Sequence, residues 1–135
     1  MANVNRKVGN AFERELCETL ARNGFWAHNM AQNSAGQPFD VIAARNGKAY
    51  PIDCKVCEND VFVLSRIEEN QHSSMTLWDR TGNGVGWFAL KFSDDSVYMV
   101  TEWVLSILAR NHKSLDIDDI ISVGWILEEW MLACE

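Results

Sequence analysis

Four side chains in the first half of the chain could together carry out hydrolysis: Glu13, Asp40, Asp53 and Lys55. Asp53 and Lys55 stand two apart within Tyr-Pro-Ile-Asp-Cys-Lys-Val-Cys, residues 50–57. In an extended strand that spacing turns both toward the same side and leaves Ile52, Cys54 and Val56 facing the other way, toward a core. Converging carboxylates are hard oxygen donors suited to a divalent cation. An ammonium beside them can hold an attacking water and stabilise charge growing on a phosphoryl oxygen. The same stretch holds Cys54 and Cys57, a CxxC pair that would point instead to zinc or thiol redox chemistry.

Two elements must position these groups. The runs Phe39–Arg45 and Lys48–Val56 are strand-like and separated by Asn46-Gly47, a strong short hairpin signal. If that pair forms a two-residue turn, Arg45 faces Lys48 and the register carries Asp40 opposite Asp53. Like charges placed there repel at roughly 5 Å, and a bound cation would offset the repulsion. Upstream, Phe12, Leu16, Cys17 and Leu20 recur at helical spacing, which predicts a helix from about Asn5 to Asn23. At about 100° per residue Glu13 falls inside the apolar arc, whereas Glu15 and Glu18 fall outside it. A carboxylate facing a core is costly unless paired or bound to metal, which sets Glu13 apart.

Further along, a strand is expected over residues 25–31 and a polar loop over residues 32–37. Ser65 is a candidate cap for a helix running to about Arg80, with Ile67, Met75 and Trp78 as inward candidates. Strands WFALKF and SVYMV follow around Ser93-Asp94-Asp95, then an amphipathic helix at residues 101–111. SLDIDDII fits the start of a short helix, and SVGWILEEWMLACE fits either strand or helix. The order helix, three strands, helix, two strands, helix predicts an α/β sandwich with a mixed sheet.

With 47% hydrophobic and 23% charged residues among 135, the chain suits one globular domain without disulfide staples. No apolar run reaches membrane-spanning length and the N-terminus lacks a signal-peptide pattern, so a soluble, intracellular (cytoplasmic) protein is expected. The net charge of -7 argues against a polyanionic partner, but it is unevenly distributed. Residues 1–93 are neutral, and the whole deficit lies in residues 94–135, where Arg110 and Lys113 are the only lysine or arginine residues.

Gly9-x-x-Phe12-Glu13-Arg14-Glu15-Leu16, then Ser34 with Phe39-Asp40-Val41-Ile42-Ala43, then Ile52-Asp53-Cys54-Lys55, and after a helix Ala89-Leu90-Lys91-Phe92, together resemble the PD-(D/E)XK nucleases. Within that superfamily the chain looks most like the archaeal and phage-type Holliday junction resolvases. The resemblance implies a restriction-endonuclease-like fold, a mixed β-sheet flanked by helices. One nuclease domain would span residues 1–135, with a core at 5–100 and an acidic, tryptophan-rich extension at 101–135. It further implies a magnesium-dependent endonuclease, with manganese as a possible substitute. The enzyme would be a homodimer cutting branched DNA, with no membrane partner and no small organic cofactor. By matched position Glu13, Asp40 and Asp53 would bind metal, Lys55 would orient the nucleophile, and Gln71 would join the catalytic set. Ser34 matches a loop serine near the scissile strand. Contacts to DNA are expected first from Arg6 and Lys7, then from Arg14, Arg45, Lys48 and Arg66. Two departures stand out: the proline sits at Pro38 rather than directly before Asp40, and His28-Asn29 replaces a frequent arginine.

Three other readings compete. A CxxC zinc or redox site lacks a second compact ligand pair, and strand parity turns Cys54 inward. A non-catalytic interaction module could use the Trp125, Trp130 and Met131 region as a docking face. A restriction or repair nuclease would keep the chemistry and change the DNA substrate.

Overall fold

The computed structural model describes residues 2–30 and 37–134, with side chains from residue 8 onward. Helix α1 (Ala2–Arg22) begins a few residues before the predicted start and buries Phe12, Leu16 and Leu20. It stops at Gly24, whose φ of +87° lets the Phe25 N–H turn back to the Leu20 carbonyl at 3.0 Å. Strand β1 (Trp26–Asn29) follows, then β2 (Val41–Arg45) and β3 (Lys48–Val56). Asn46 and Gly47 both take positive φ, 55° and 80°, as a tight hairpin turn requires. Arg45 pairs with Lys48 and Val41 with Ile52, the register expected from the sequence.

Strand β4 (Val61–Val63) precedes helix α2 (Glu69–Trp78), and β5 (Trp87–Lys91) then pairs with β3 in parallel. Strand β6 (Val97–Thr101) turns back on β5, and helix α3 (Glu102–Leu108) follows at once. The remainder is β7 (Ser114–Asp116), α4 (Ile117–Val123), β8 (Trp125–Ile126) and α5 (Leu127–Ala133). The main sheet has the order β1-β2-β3-β5-β6-β8, and β4 pairs with β7 in a separate two-stranded sheet. This is the expected mixed α/β sheet flanked by helices.

The sheet separates two cores. On one side α1 and α5 cover Val41, Ala43, Ile52, Cys54, Ala89 and Met99. On the other, Met75 of α2, Leu105 of α3 and Ile120 of α4 cover Phe88, Leu90 and Val100. Stretch 101–135, expected as an extension, takes part in both cores and adds β8 to the sheet edge. Trp130 is 2% exposed, stacked on Phe25 at 5.7 Å and edge-on to Tyr50 and Trp87.

Three expectations change. Ser65 lies in a short 3-10 turn (Leu64–Arg66), and α2 is capped by Glu68, whose carboxylate bonds the N3 backbone while Gln71 Oε1 accepts the Glu68 N–H at 3.2 Å. Strands β4 and β7 were not predicted, because three residues are too few to show alternation. The helix expected over 101–111 ends at Leu108.

Helix α2 is fastened to α3 by His72 Nδ1 on the Glu102 carboxylate, which also accepts from Ser106 Oγ. It is seated on the sheet by Met75 packed against Gly86, where a Cβ would lie 2.5 Å from the Met75 sulfur. Gly86→Ala is therefore expected to destabilise the fold by about 2 kcal/mol through forced repacking of Met75. Urea denaturation measures it, and an unchanged midpoint would contradict this close packing. Among the described residues, no helix is long and apolar enough to cross a membrane.

Candidate active site

Strand β3 is nine residues long and β2 only five, so β3 continues past its antiparallel neighbour. Beyond Val41 no strand among the described residues pairs with this edge of β3, and the Asp40 side chain takes its place: its Oδ2 accepts the Cys54 N–H at 2.8 Å. The chain then turns away at Asp40. A cleft of about 770 Å³ opens between α1 and the start of α2, lined by Glu13, Gln37, Asp40, Lys55, Arg66 and Gln71 among others.

Asp53 stands on the α2 side of the sheet and is 0% exposed. Its Oδ1 accepts from Gln71 Nε2 at 2.9 Å. Its Oδ2 lies 3.2 Å from Lys55 Nζ, but the direction of approach makes no hydrogen bond, leaving that buried oxygen without one. Lys55 is itself 12% exposed. Gln71 thus does two jobs with one amide: its oxygen caps α2 and its nitrogen orients Asp53.

Electrostatics at the cleft follow from burial and crowding. Burial first, then the nearby Asp40 charge, pushes the Glu13 carboxyl up to about 7, against the opposing pull of Lys55. The same causes in the same order raise Asp53 well above the usual carboxylate range. Glu13 is 6% exposed while Glu15 and Glu18 face solvent, as the helical spacing predicts. Too much negative charge is buried here for the protein alone, and a cation would relieve it.

The donor chemistry fits a hard divalent ion: the carboxylates of Glu13 and Asp40 line the cleft, and behind them the buried Asp53 has an oxygen without a hydrogen bond. The expected three-carboxylate ligand set is nevertheless not assembled, since among the described residues no three His, Cys, Asp or Glu side chains lie together as a metal cluster. Glu13 comes from α1, on the opposite side of the sheet from Asp53, and both oxygens of Asp40 are held, by Gln37 Nε2 at 2.9 Å and by the Cys54 N–H.

The remaining expected residues divide. Arg66 lines the cleft, with Nη1 on the Val56 carbonyl at 2.7 Å. Arg14 is exposed on α1 beside Glu13, and Arg6 and Lys7 lie in its first turns. Lys48 is exposed at the hairpin, at the end of β3 away from the cleft. Arg45 requires correction as a DNA contact. Its guanidinium lies 4.1 Å over the Phe25 ring and donates to the carbonyls of Asn23, Met131 and Cys134, so it closes the end of α5. Ser34 lies outside the described residues.

Cys54 and Cys57 are free and buried on opposite sides of the sheet, in different cores. Burial raises both thiols, Cys57 to about 11, which disfavours the reactive thiolate. Sequence reasoning missed Gln37, which holds Asp40, and the cleft wall formed by Val61 and Val63 of β4. The one available signal for Gln37 was its position three residues before Asp40.

Comparison with known proteins agrees with this architecture. No curated protein matches the chain. Among solved structures, the chain is similar to Archaeoglobus fulgidus Hjc, a Holliday junction resolvase from an archaeal hyperthermophile. That match has 20% identity and a TM-score of 0.70, and covers 91% of this chain and 99% of that one. The family model described as archaeal Holliday junction resolvase (Hjc) matches residues 3–134. Since that match spans nearly all of the sequence, from α1 through α5, the chain belongs to the archaeal Holliday junction resolvase family, a family of nucleases.

Proposed function

We propose that this chain is a magnesium-dependent endonuclease that resolves four-way DNA junctions by hydrolysing phosphodiester bonds. The observation that carries the reading is the buried Asp53, with one oxygen free of hydrogen bonds and Lys55 beside it, in a chain of the resolvase family. Asp53 and Asp40 would hold the magnesium, with Glu13 completing the negative field of the cleft. Bound magnesium would supply Lewis acidity toward a phosphoryl oxygen. Lys55, held in place by Asp53, presents a preorganised positive charge to the developing pentavalent phosphorus. Glu13, on the α1 wall of the cleft, can accept a proton as hydrolysis proceeds. Arg66 offers a phosphate contact on the wall of the cleft, and Arg14, exposed on α1 next to Glu13 in sequence, offers another, with Arg6 and Lys7 in the first turns of that helix.

Symmetric cutting of a junction needs two centres, so the acting unit in this reading is a homodimer. The exposed Trp103 and Ile107 on α3 and Trp125 on β8 provide apolar surface for a second copy.

The deciding experiment incubates purified protein with a labelled four-way junction and with linear duplex, with magnesium or with chelator. Paired nicks in the junction with magnesium alone are the expected result. Equal cutting of linear duplex would replace the junction reading with a general nuclease. No cleavage with either magnesium or manganese would sink the enzymatic reading. Gln71→Met removes the partner of Asp53 Oδ1, and it is expected to raise the magnesium needed for half-maximal cleavage by roughly 10–100-fold. A magnesium titration of cleavage checks this, and an unchanged midpoint would remove Gln71 from the site.

A further inference from the structure

The registers of β1, β2 and β3 sort their side chains into rows. Trp26, Ala44 and Ala49 share one row and His28, Ile42 and Pro51 the next. Asp53 follows Ala49 and Pro51 at strand spacing and so stands on the same face in the next row, while the Asp40 N–H bonds the Ile52 carbonyl at 3.1 Å, one residue off the β2–β3 register. The reverse side of these strands is covered, because Phe25, Ala27, Val41 and Ala43 pack into the core beneath α1. Trp26 therefore stands on the carboxylate side of the sheet. It is 63% exposed, with its ring stacked on the His28 imidazole at 5.9 Å and 16° between planes. At ~3.3 Å per residue, His28 lies roughly 7 Å and Trp26 roughly 13 Å along the strand from the Asp53 row.

We propose that Trp26, backed by His28, is a stacking platform for an unstacked nucleobase of branched DNA; this rests on the nuclease reading above. Charge favours that occupant. The chain carries a net charge of -7, and several of its cations are already engaged: Arg45 on backbone carbonyls, Lys55 on Asp53, and Lys91 on Glu15. Fewer cations remain for phosphate contact, so binding also draws on contacts that do not need positive charge. Aromatic stacking on a base is such a contact, and it tolerates any sequence because every base has a π-face. A branch point exposes base faces that a continuous duplex keeps stacked. The platform shares its sheet face with Asp53 and Lys55, so DNA lying along β1 would run toward the end of β3 that borders the cleft. Trp26 thus converts branch geometry into preference for the substrate.

The test uses the full chain carrying Asp53→Asn, so that DNA is bound without being cut. Its probe is 2-aminopurine placed at the branch of a four-way junction or in the middle of a linear duplex. Binding is expected to change emission at the branch. Adding Trp26→Ala should abolish that change and weaken junction binding about tenfold, with duplex binding unaltered and the loss equal at low and high salt. Trp26→Phe should retain most of both. Unchanged junction affinity and emission in Trp26→Ala would overturn the platform, as would an equal loss for junction and duplex. Conversion of a dimer to a monomer by Trp26→Ala, seen by sedimentation, would overturn it too and make Trp26 an interface between copies. A wild-type chain that neither binds nor cuts junctions fails at the nuclease reading itself. Cutting by wild type with an indifferent Trp26→Ala variant fails at the platform alone.

Discussion

Asp53→Asn is expected to lower magnesium-dependent nicking of a four-way junction by about a thousandfold while leaving a folded protein. The substitution preserves shape and one acceptor: the amide oxygen can still receive Gln71 Nε2, which donates to Asp53 Oδ1 at 2.9 Å. What disappears is the charge. Lys55 loses the carboxylate 3.2 Å from its ammonium, and the site loses a buried carboxylate oxygen that has no hydrogen bond among the described residues. Because burial and Asp40 hold the Asp53 carboxyl well above the usual range, its ionised form destabilises the fold. The asparagine variant should therefore melt no lower than wild type at pH 8 without metal. Circular dichroism and thermal melts verify the fold, and single-turnover cleavage measures the loss. A variant that cuts within tenfold of wild type would remove Asp53 from the chemistry. One that fails to fold would show that the charge is needed for structure.

The second large effect concerns Glu13. Its carboxyl is raised from 4.5 to about 7, so the folded chain binds a proton that the unfolded chain releases. Stability is then highest below the unfolded value, falls as pH rises from about 4.5 to about 7, and stays low above that. The difference corresponds to about 3 kcal/mol at 1.36 kcal/mol per pH unit. Glu13→Gln removes that dependence. It is expected to stabilise the metal-free protein by about 3 kcal/mol at pH 8 and to change little at pH 4.5, while lowering cleavage. Magnesium in excess should narrow the gap at pH 8, because an ion bound only by the folded wild type adds to its stability. Urea midpoints at the two pH values, with and without magnesium, provide the measurement. An equal shift at both pH values would show that packing and not charge is responsible. Such a trade of stability for a reactive site is common where like charges are gathered for function.

The site was legible to the extent that local periodicity could fix directions. Two rules, strand alternation and helical spacing, separated Asp53 and Lys55 from Cys54 and set Glu13 apart from Glu15 and Glu18. The hairpin signal at Asn46-Gly47 set the register from Arg45–Lys48 to Val41–Ile52, but the Asp40 N–H bonds the Ile52 carbonyl at 3.1 Å, so a one-residue shift removes the expected placement of Asp40 opposite Asp53. Gln71 was harder, because a lone glutamine on a helix carries no periodic mark. Its dual bond to the Glu68 N–H and Asp53 depends on where α2 docks. Arg45 misled for a related reason. A cation in sequence looks alike whether it faces phosphate or the carbonyl end of α5, eighty-nine residues away at Cys134.

By itself, then, the sequence determined the hairpin and its register, the buried face of α1, and the family that the pattern of residues resembles. Each of these rests on contacts between near neighbours or on residue types at fixed spacing. Tertiary structure alone decided how the carboxylates relate: Glu13 lines the cleft from α1 while Asp53 is buried on the other side of the sheet, and Asp40 is committed to Gln37 and to the edge of β3. It also decided that the acidic last third closes both cores, because Trp130 finds Phe25, Tyr50 and Trp87 only after the sheet has formed. The physical reason is common to both. Long-range packing selects among arrangements that local periodicity leaves equal, so the pieces of the site could be read from the chain but their convergence could not.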